Sequence, residues 1–226
     1  MSRPVATAGI PPALVLLTIT TGMVDAVSFL KLGHVFVANM TGNVAFLGFA
    51  AAGFRGISAS GSVLAVLAFL AGAFIGGRLG ARSSSPARLL VNATIVKVGL
   101  ALAAVVIVAT TVIVENTPAA YALIAVLALA LGVQNAAARK LAIPDFTTTV
   151  LTLTMTGIAA DYGAGENPKL ARRFVSIASM FVGALAGAVL VLHGPLLYAV
   201  IAIAALFAAT AAVALRELRS GKGSRP

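Results

Sequence analysis

Apolar residues fall into eight stretches, at about 12–32, 36–54, 61–80, 89–114, 118–138, 143–160, 174–192 and 195–215, and no soluble domain fits between them. A helix needs about 20 apolar residues to cross a bilayer, and each stretch is near that length. The pattern therefore predicts an all-α integral membrane protein. Arg3 precedes the first stretch as it would in a secretory signal, but the apolar run outlasts a signal's core and further runs follow, so it reads as a retained helix.

The chain also matches itself. Gly22 and Asp25 in GMVDA fall on Gly132 and Asn135 in GVQNA at an offset of 110 residues. Thr41 in ANMTGNV falls on Thr152 in TVLTLTM at 111, and Gly72 and Gly76 fall on Gly183 and Gly187, again at 111. One inserted residue explains the change of offset. The reading is two related halves, residues 1–114 and 115–215, followed by a basic tail at 216–226, with four stretches in each half.

Composition sharpens this picture. With 60% hydrophobic residues, 10% charged residues and a mean hydropathy of +1.06, no single soluble core could hide the apolar surface. The net charge of +10 would suggest nucleic acid in a soluble protein, but the basic residues sit in short clusters beside apolar runs, where they orient helices and meet anionic lipid. There are no cysteines, and His34 and His193 lie far apart, so neither a disulfide nor a metal cluster is expected.

Charge decides how many stretches cross. If all eight span and the N-terminus is cytoplasmic, nine loop cations lie inside and six outside (Lys31, Arg78, Arg82, Arg88, Arg139 and Lys140). If the second stretch of each half enters and returns on the same side, only Lys31 and Arg55 lie outside and 13 lie inside. The positive-inside rule selects the second arrangement. It predicts about six transmembrane helices plus two re-entrant or broken segments, both termini cytoplasmic, and halves of opposite orientation, because three crossings per half is an odd number. Inverted repeats of this kind carry sites near the midplane where the halves meet.

Broken backbone inside a membrane leaves N–H and C=O groups that must be satisfied internally. In FVANMTGNVAF, Asn39, Thr41 and Asn43 could supply those bonds and Gly42 could permit the turn. Thr147, Thr148, Thr149, Thr152, Thr154 and Thr156 would do so in the second half, unless they simply glue helices together or form a short extended segment. Thr18, Thr21, Asp25 and Ser28 share one helix face, which must look inward. Asp25 could bind a cation, take up a coupling proton or hold a polar solute; alternatively it is held by its neighbours to lock the fold. Lys97 lies about eight residues into its stretch, in the inner third, where its stem could snorkel to the headgroups; a pairing with Asp25 is the alternative. The glycines at 72, 76, 80, 183 and 187 form small-xxx-small grooves for packing between the halves or in a homodimer.

The blocks Gly22-Met-Val-Asp25-Ala26, Phe36-Val-Ala-Asn39-Met-Thr41-Gly42-Asn43 and Gly132-Val-Gln134-Asn135 resemble the bacterial YoaK-like membrane proteins, the DUF1275 family, over roughly residues 12–215. The resemblance implies a multi-pass protein of the bacterial inner (plasma) membrane and no particular substrate. Thr152-Leu153 departs from the expected Thr-Gly, so an identical turn in the second half is not implied.

Function follows from the polar residues in the spans. The leading expectation is a secondary transporter or facilitator of a small polar solute, with a proton or cation as the candidate coupling ion and no cofactor. Its site would be built from Asp25, Asn39, Thr41, Gly42, Asn43, Gln134, Asn135, Thr149 and Thr152. A passive channel and a non-transporting scaffold are the competing readings. No nucleotide loop, metal spacing or nucleophile–base arrangement stands out, so an enzyme is not expected.

Overall fold

A computed structural model describes residues 12–141, 151–163 and 170–219, with the side chains of 161–163 left out. Thr147, Thr148, Thr149 and Glu166 lie outside the described residues. The described chain is helical: α1 (Pro12–Lys31), α2 (Met40–Ala51), α3 (Ala59–Arg82), α4 (Pro86–Thr110), α5 (Pro118–Lys140), α6 (Leu151–Gly163), α7 (Leu170–His193) and α8 (Leu196–Arg219). Six are long and apolar enough to span a membrane, while α2 and α6, at 12 and 13 residues, are not. At 1.5 Å per residue these two extend only about 18–20 Å, against a hydrocarbon core of about 30 Å.

Local chemistry sets the boundaries. Ser58, Ser85 and Thr117 cap the N-termini of α3, α4 and α5 with side-chain oxygens, and Pro86 and Pro118 occupy first-turn positions where no N–H is needed. After α1 the chain reverses through Gly33 and His34, at φ values of +88° and +58°. The turn glycine is thus Gly33 rather than Gly42, which lies inside α2.

The reversal makes the segment around α2 re-entrant. Ala38 donates its N–H to the Asp25 carboxylate at 3.0 Å, and Asp25 lies six residues before the end of α1, so the non-helical arm 35–39 returns about 9 Å along that helix. The far end of the same segment comes back out: Ser58 N–H donates to the Gly33 carbonyl at 3.0 Å. Entry and exit therefore share one face, and α2 does not cross.

That exit face also holds the α4–α5 turn, through a 2.6 Å bond from Ser58 Oγ to Asn116 Oδ1, and the α7–α8 turn, through a cavity lined by residues of both turns together with Lys31. Among the lysines and arginines of the described residues, only Lys31 and Arg55 belong to the exit face. Arg78, Arg82, Arg88, Arg139, Lys140, Arg172, Arg173, Arg216 and Arg219 lie toward the opposite, basic face. This is the asymmetry that the six-span arrangement requires. Ile57→Cys and Ser84→Cys, made in a chain with no cysteine of its own, should accordingly label from opposite sides of the membrane with an impermeant thiol reagent. Labelling of both from one side would refute the arrangement.

Packing crosses between the halves. α1 runs parallel to α7, with Gly183 against the Ile19 carbonyl, Gly187 against Met23 and Gly22 against the Met180 carbonyl. α3 runs parallel to α5, with Gly72 against the Leu129 carbonyl, Gly76 against Val133 and Gly132 against the Phe69 carbonyl. The two sets correspond contact for contact at the offsets of 110 and 111 residues seen in the sequence. Removing side chains lets backbones touch, which is where membrane helices gain van der Waals energy. The glycine grooves are thus filled by the chain's own other half, and α4 packs with α8 beside them.

Candidate functional site

Polar side chains within the bundle form two groups. The first surrounds Asp25. Thr18, Thr21, Asp25 and Ser28 are all buried, so the predicted inward face of α1 is observed. Thr18 and Thr21 donate to carbonyls four residues earlier and Ser28 to the Asp25 carbonyl, leaving the Asp25 carboxylate for Ala38 N–H, with the Val37 N–H beside it. Asp25 therefore holds the re-entrant arm.

Asn43 holds the arm from the other side. Its Oδ1 accepts from Phe36 N–H at 3.0 Å and its Nδ2 donates to the Phe36 carbonyl at 2.6 Å, so a fully buried amide replaces the two partners a neighbouring strand would give that residue. Asn39 caps α2, its Oδ1 accepting from Gly42 N–H at 3.2 Å. Gly42 gives room: a Cβ there would stand 2.7 Å from the Phe36 ring and 3.3 Å from Asn39 Nδ2. The Phe36 ring stacks on Phe29 and on Phe46, whose own rings lie 6.3 Å apart, so the three form a triangular cluster. Two amides and a glycine thus satisfy and shape a bent backbone, as the FVANMTGNVAF motif suggested. Thr41 is the exception, exposed and without a hydrogen bond among the described residues.

The second group links four helices at the centre of the bundle. Lys97 falls eleven residues after Pro86 and thirteen before Thr110, at the middle of α4, and is 1% exposed. Its Nζ donates to Gln134 Oε1 at 3.1 Å and lies 4.7 Å from the centre of the Phe207 ring on α8. Gln134 Nε2 in turn donates to Thr21 Oγ1 at 2.9 Å and to the Leu17 carbonyl at 3.4 Å on α1. Lys97 points inward, contrary to the expectation that it snorkels; neither Lys97 nor Asp25 has an ion-pair partner among the described residues. A charged side chain at the centre of a membrane helix costs roughly 2.5–3.5 kcal/mol on insertion scales, and one amide oxygen with one ring face offsets part of that.

The remaining predicted site residues are placed apart from these groups. Asn135 is half-buried and donates to the Leu131 carbonyl of its own helix, so Gln134 rather than Asn135 reaches α1. Thr152 is exposed on α6, where its carbonyl accepts from Thr156, and Thr149 lies outside the described residues. Thr152, Thr154 and Thr156 are helical, so the extended alternative does not hold for them. Thr154, which the offset of 111 aligns with Asn43, is buried with an Oγ1 that finds no partner among the described residues. Lys97 and Phe207 were missing from the sequence-derived site. The signal for Lys97 was the Ser85-Pro86 cap, which starts α4 three residues earlier than hydropathy suggests and moves Lys97 to mid-helix.

These features define a multi-span α-helical membrane protein with a re-entrant arm and a buried polar centre. The family model described as "Protein of unknown function (DUF1275)" matches residues 13–214, and the chain belongs to that family. It is similar to the UPF0700 transmembrane protein YoaK of Bacillus subtilis (strain 168), 33% identical over 150 residues, covering 66% of this chain and 65% of that one. The match thus spans just under two thirds of that relative. No solved structure matches the chain.

Proposed function

We propose that the chain is a small secondary transporter or facilitator of a small polar solute in the bacterial inner membrane. The basic face is cytoplasmic and carries both termini. The two halves are inverted repeats: α1 ends on the exit face where its counterpart α5 begins, and the glycine contacts of the two halves correspond at one register. The observation that carries the reading is the Lys97–Gln134–Thr21 group, in which buried polar atoms from α4, α5 and α1 converge at mid-membrane depth. Ionisable groups at such depth mark solute pathways more often than they mark packing, because apolar residues pack there without the desolvation cost. Asp25 and Asn43 act as supports for the re-entrant arm. Nothing in the group suits bond breaking, so its chemistry is binding.

Purified protein in liposomes, offered a panel of small neutral and charged solutes, should show saturable uptake of at least one of them. Gln134→Leu, which removes the link between Lys97 and α1, should lower that uptake at least tenfold in protein that stays folded. Uptake no faster than in empty liposomes across the whole panel would defeat the proposal and leave a scaffold as the better reading.

A further inference from the structure

Resting on that reading, we infer that the solute is a small monovalent anion, that Lys97 binds it, and that it reaches Lys97 along the seam between α4 and α8. An ammonium has three N–H donors, and among the described residues only Gln134 Oε1 accepts from Lys97. The neighbouring polar groups are already committed: both recorded bonds of Gln134 Nε2 go to α1, and Thr94 and Thr210 donate to carbonyls of their own helices. The group thus offers a positive charge with donors to spare, the complement of an anion rather than of a cation or a sugar-like hydroxyl array.

The cavity on the exit face supplies the route. It encloses about 300 Å³ and is lined by Lys31, by Val108 and Thr111 at the end of α4, and by Leu196 at the start of α8. It lies on the same seam as the buried lysine. On α4 the positions 97, 101, 104 and 108 share one face, and on α8 the positions 196, 200, 203 and 207 do so. Lys97 and Phe207 form the inner end of that face, and Lys31 stands at its mouth. Between them Ala101, Ala104, Val200 and Ile203 are all buried and pack as an apolar plug, part of the main core, over the roughly 16 Å of α4 that separate Lys97 from Val108. One cation at the entrance and one behind a plug of small and branched residues is an arrangement that attracts and then desolvates a small anion. In the state described the plug is shut, so α4 and α8 must part for the anion to arrive.

The test uses the full chain in liposomes with an imposed membrane potential and the sodium salts of chloride, nitrate, formate and acetate, with urea and glycerol as neutral comparisons. Wild type should carry at least one of the anions at ten times the rate of empty liposomes or more, and faster when the interior is positive. Lys97→Met should fall to within twofold of empty liposomes, and Lys31→Ala should raise the half-saturating anion concentration about threefold. If Lys97→Met does not fold, wild-type selectivity decides: urea or glycerol carried as fast as every anion overturns the inference. Wild type that carries urea or glycerol but no anion also overturns it while the transport proposal stands. Wild type that carries none of the panel overturns the inference and leaves the transport proposal to its own wider panel, and Lys97→Met carrying anions at the wild-type rate removes the role of the lysine.

Discussion

Gly183→Val is expected to yield no folded protein, and Gly72→Val, at the corresponding position in the other half, should behave alike. At both positions the Cβ that valine adds would meet backbone, the carbonyl of Ile19 in one case and that of Leu129 in the other. A flexible side chain could swing aside, but a helix backbone moves only by separating the two helices. Even Gly183→Ala should cost about 3 kcal/mol, at the upper end of overpacking penalties, because the methyl must push α7 off α1 along the interface. For a chain of this size that corresponds to a fall in Tm of roughly 6–12 °C.

Gly77→Ala is the control. Gly77 has nothing within 4 Å of its added Cβ, so this change should be neutral or stabilise slightly through helix propensity. The comparison between counterparts adds a second demand. If the two halves share one packing scheme, Gly72→Ala and Gly183→Ala should lower Tm by similar amounts, as should Gly76→Ala and Gly187→Ala, whose added Cβ atoms each stand 2.7 Å from a carbonyl oxygen. Thermal unfolding in detergent, followed by loss of the monodisperse peak, reads all of these. Gly183→Ala as stable as Gly77→Ala would mean that the close approach of α1 and α7 does not hold the fold together.

These glycines show what was legible in the sequence. Their register was visible as a self-match, because only Gly fits where backbones touch and the demand recurs in each half. Apolar length marked eight stretches, and charge separated the six spans from the rest: Arg55 and the cations Arg78, Arg82, Arg88, Arg139 and Lys140 change sides according to whether α2 crosses. The polar centre was only half visible. Gln134 and Asp25 stood out as polar atoms in apolar runs, yet the direction in which Lys97 points depends on Gln134 and Phe207, 37 and 110 residues further along the chain. Periodicity reports which face of a helix is buried and says nothing about the partner on that face. The turn escaped for a local reason: His34 adopts a left-handed φ, uncommon for any residue but glycine, so Gly42, the glycine among the amides, was the more natural candidate.

Asn43→Leu should be among the most damaging changes on this side of the molecule, although leucine is the commoner residue in a membrane helix. Asn43 is buried, and its amide satisfies both the N–H and the carbonyl of Phe36. Phe36 lies in the non-helical arm, where no helix supplies those bonds and where the aromatic stack with Phe29 and Phe46 keeps water away. Each backbone group left unsatisfied costs about 1–3 kcal/mol, so the pair should cost about 4 kcal/mol if the arm stays in place. The arm has a cheaper response, which is to leave. Its polar anchor to α1 is the Asp25 carboxylate, which takes the Ala38 N–H with the Val37 N–H beside it, and that single side chain is a weak hold on a segment that has lost its register. Asn43→Leu is therefore expected to release residues 35–39 toward the exit face while the six long helices stay packed through their glycines. Hydrogen exchange should show that arm exchanging at least a hundredfold faster, with α3 and α5 unchanged. Asn43→Gln tests the geometry, since it keeps both amide groups but displaces them by one methylene and should restore little of the protection. If Asn43→Leu leaves the arm as protected as in wild type, the amide is not what fastens it, and the bent segment must be held by its aromatic packing alone.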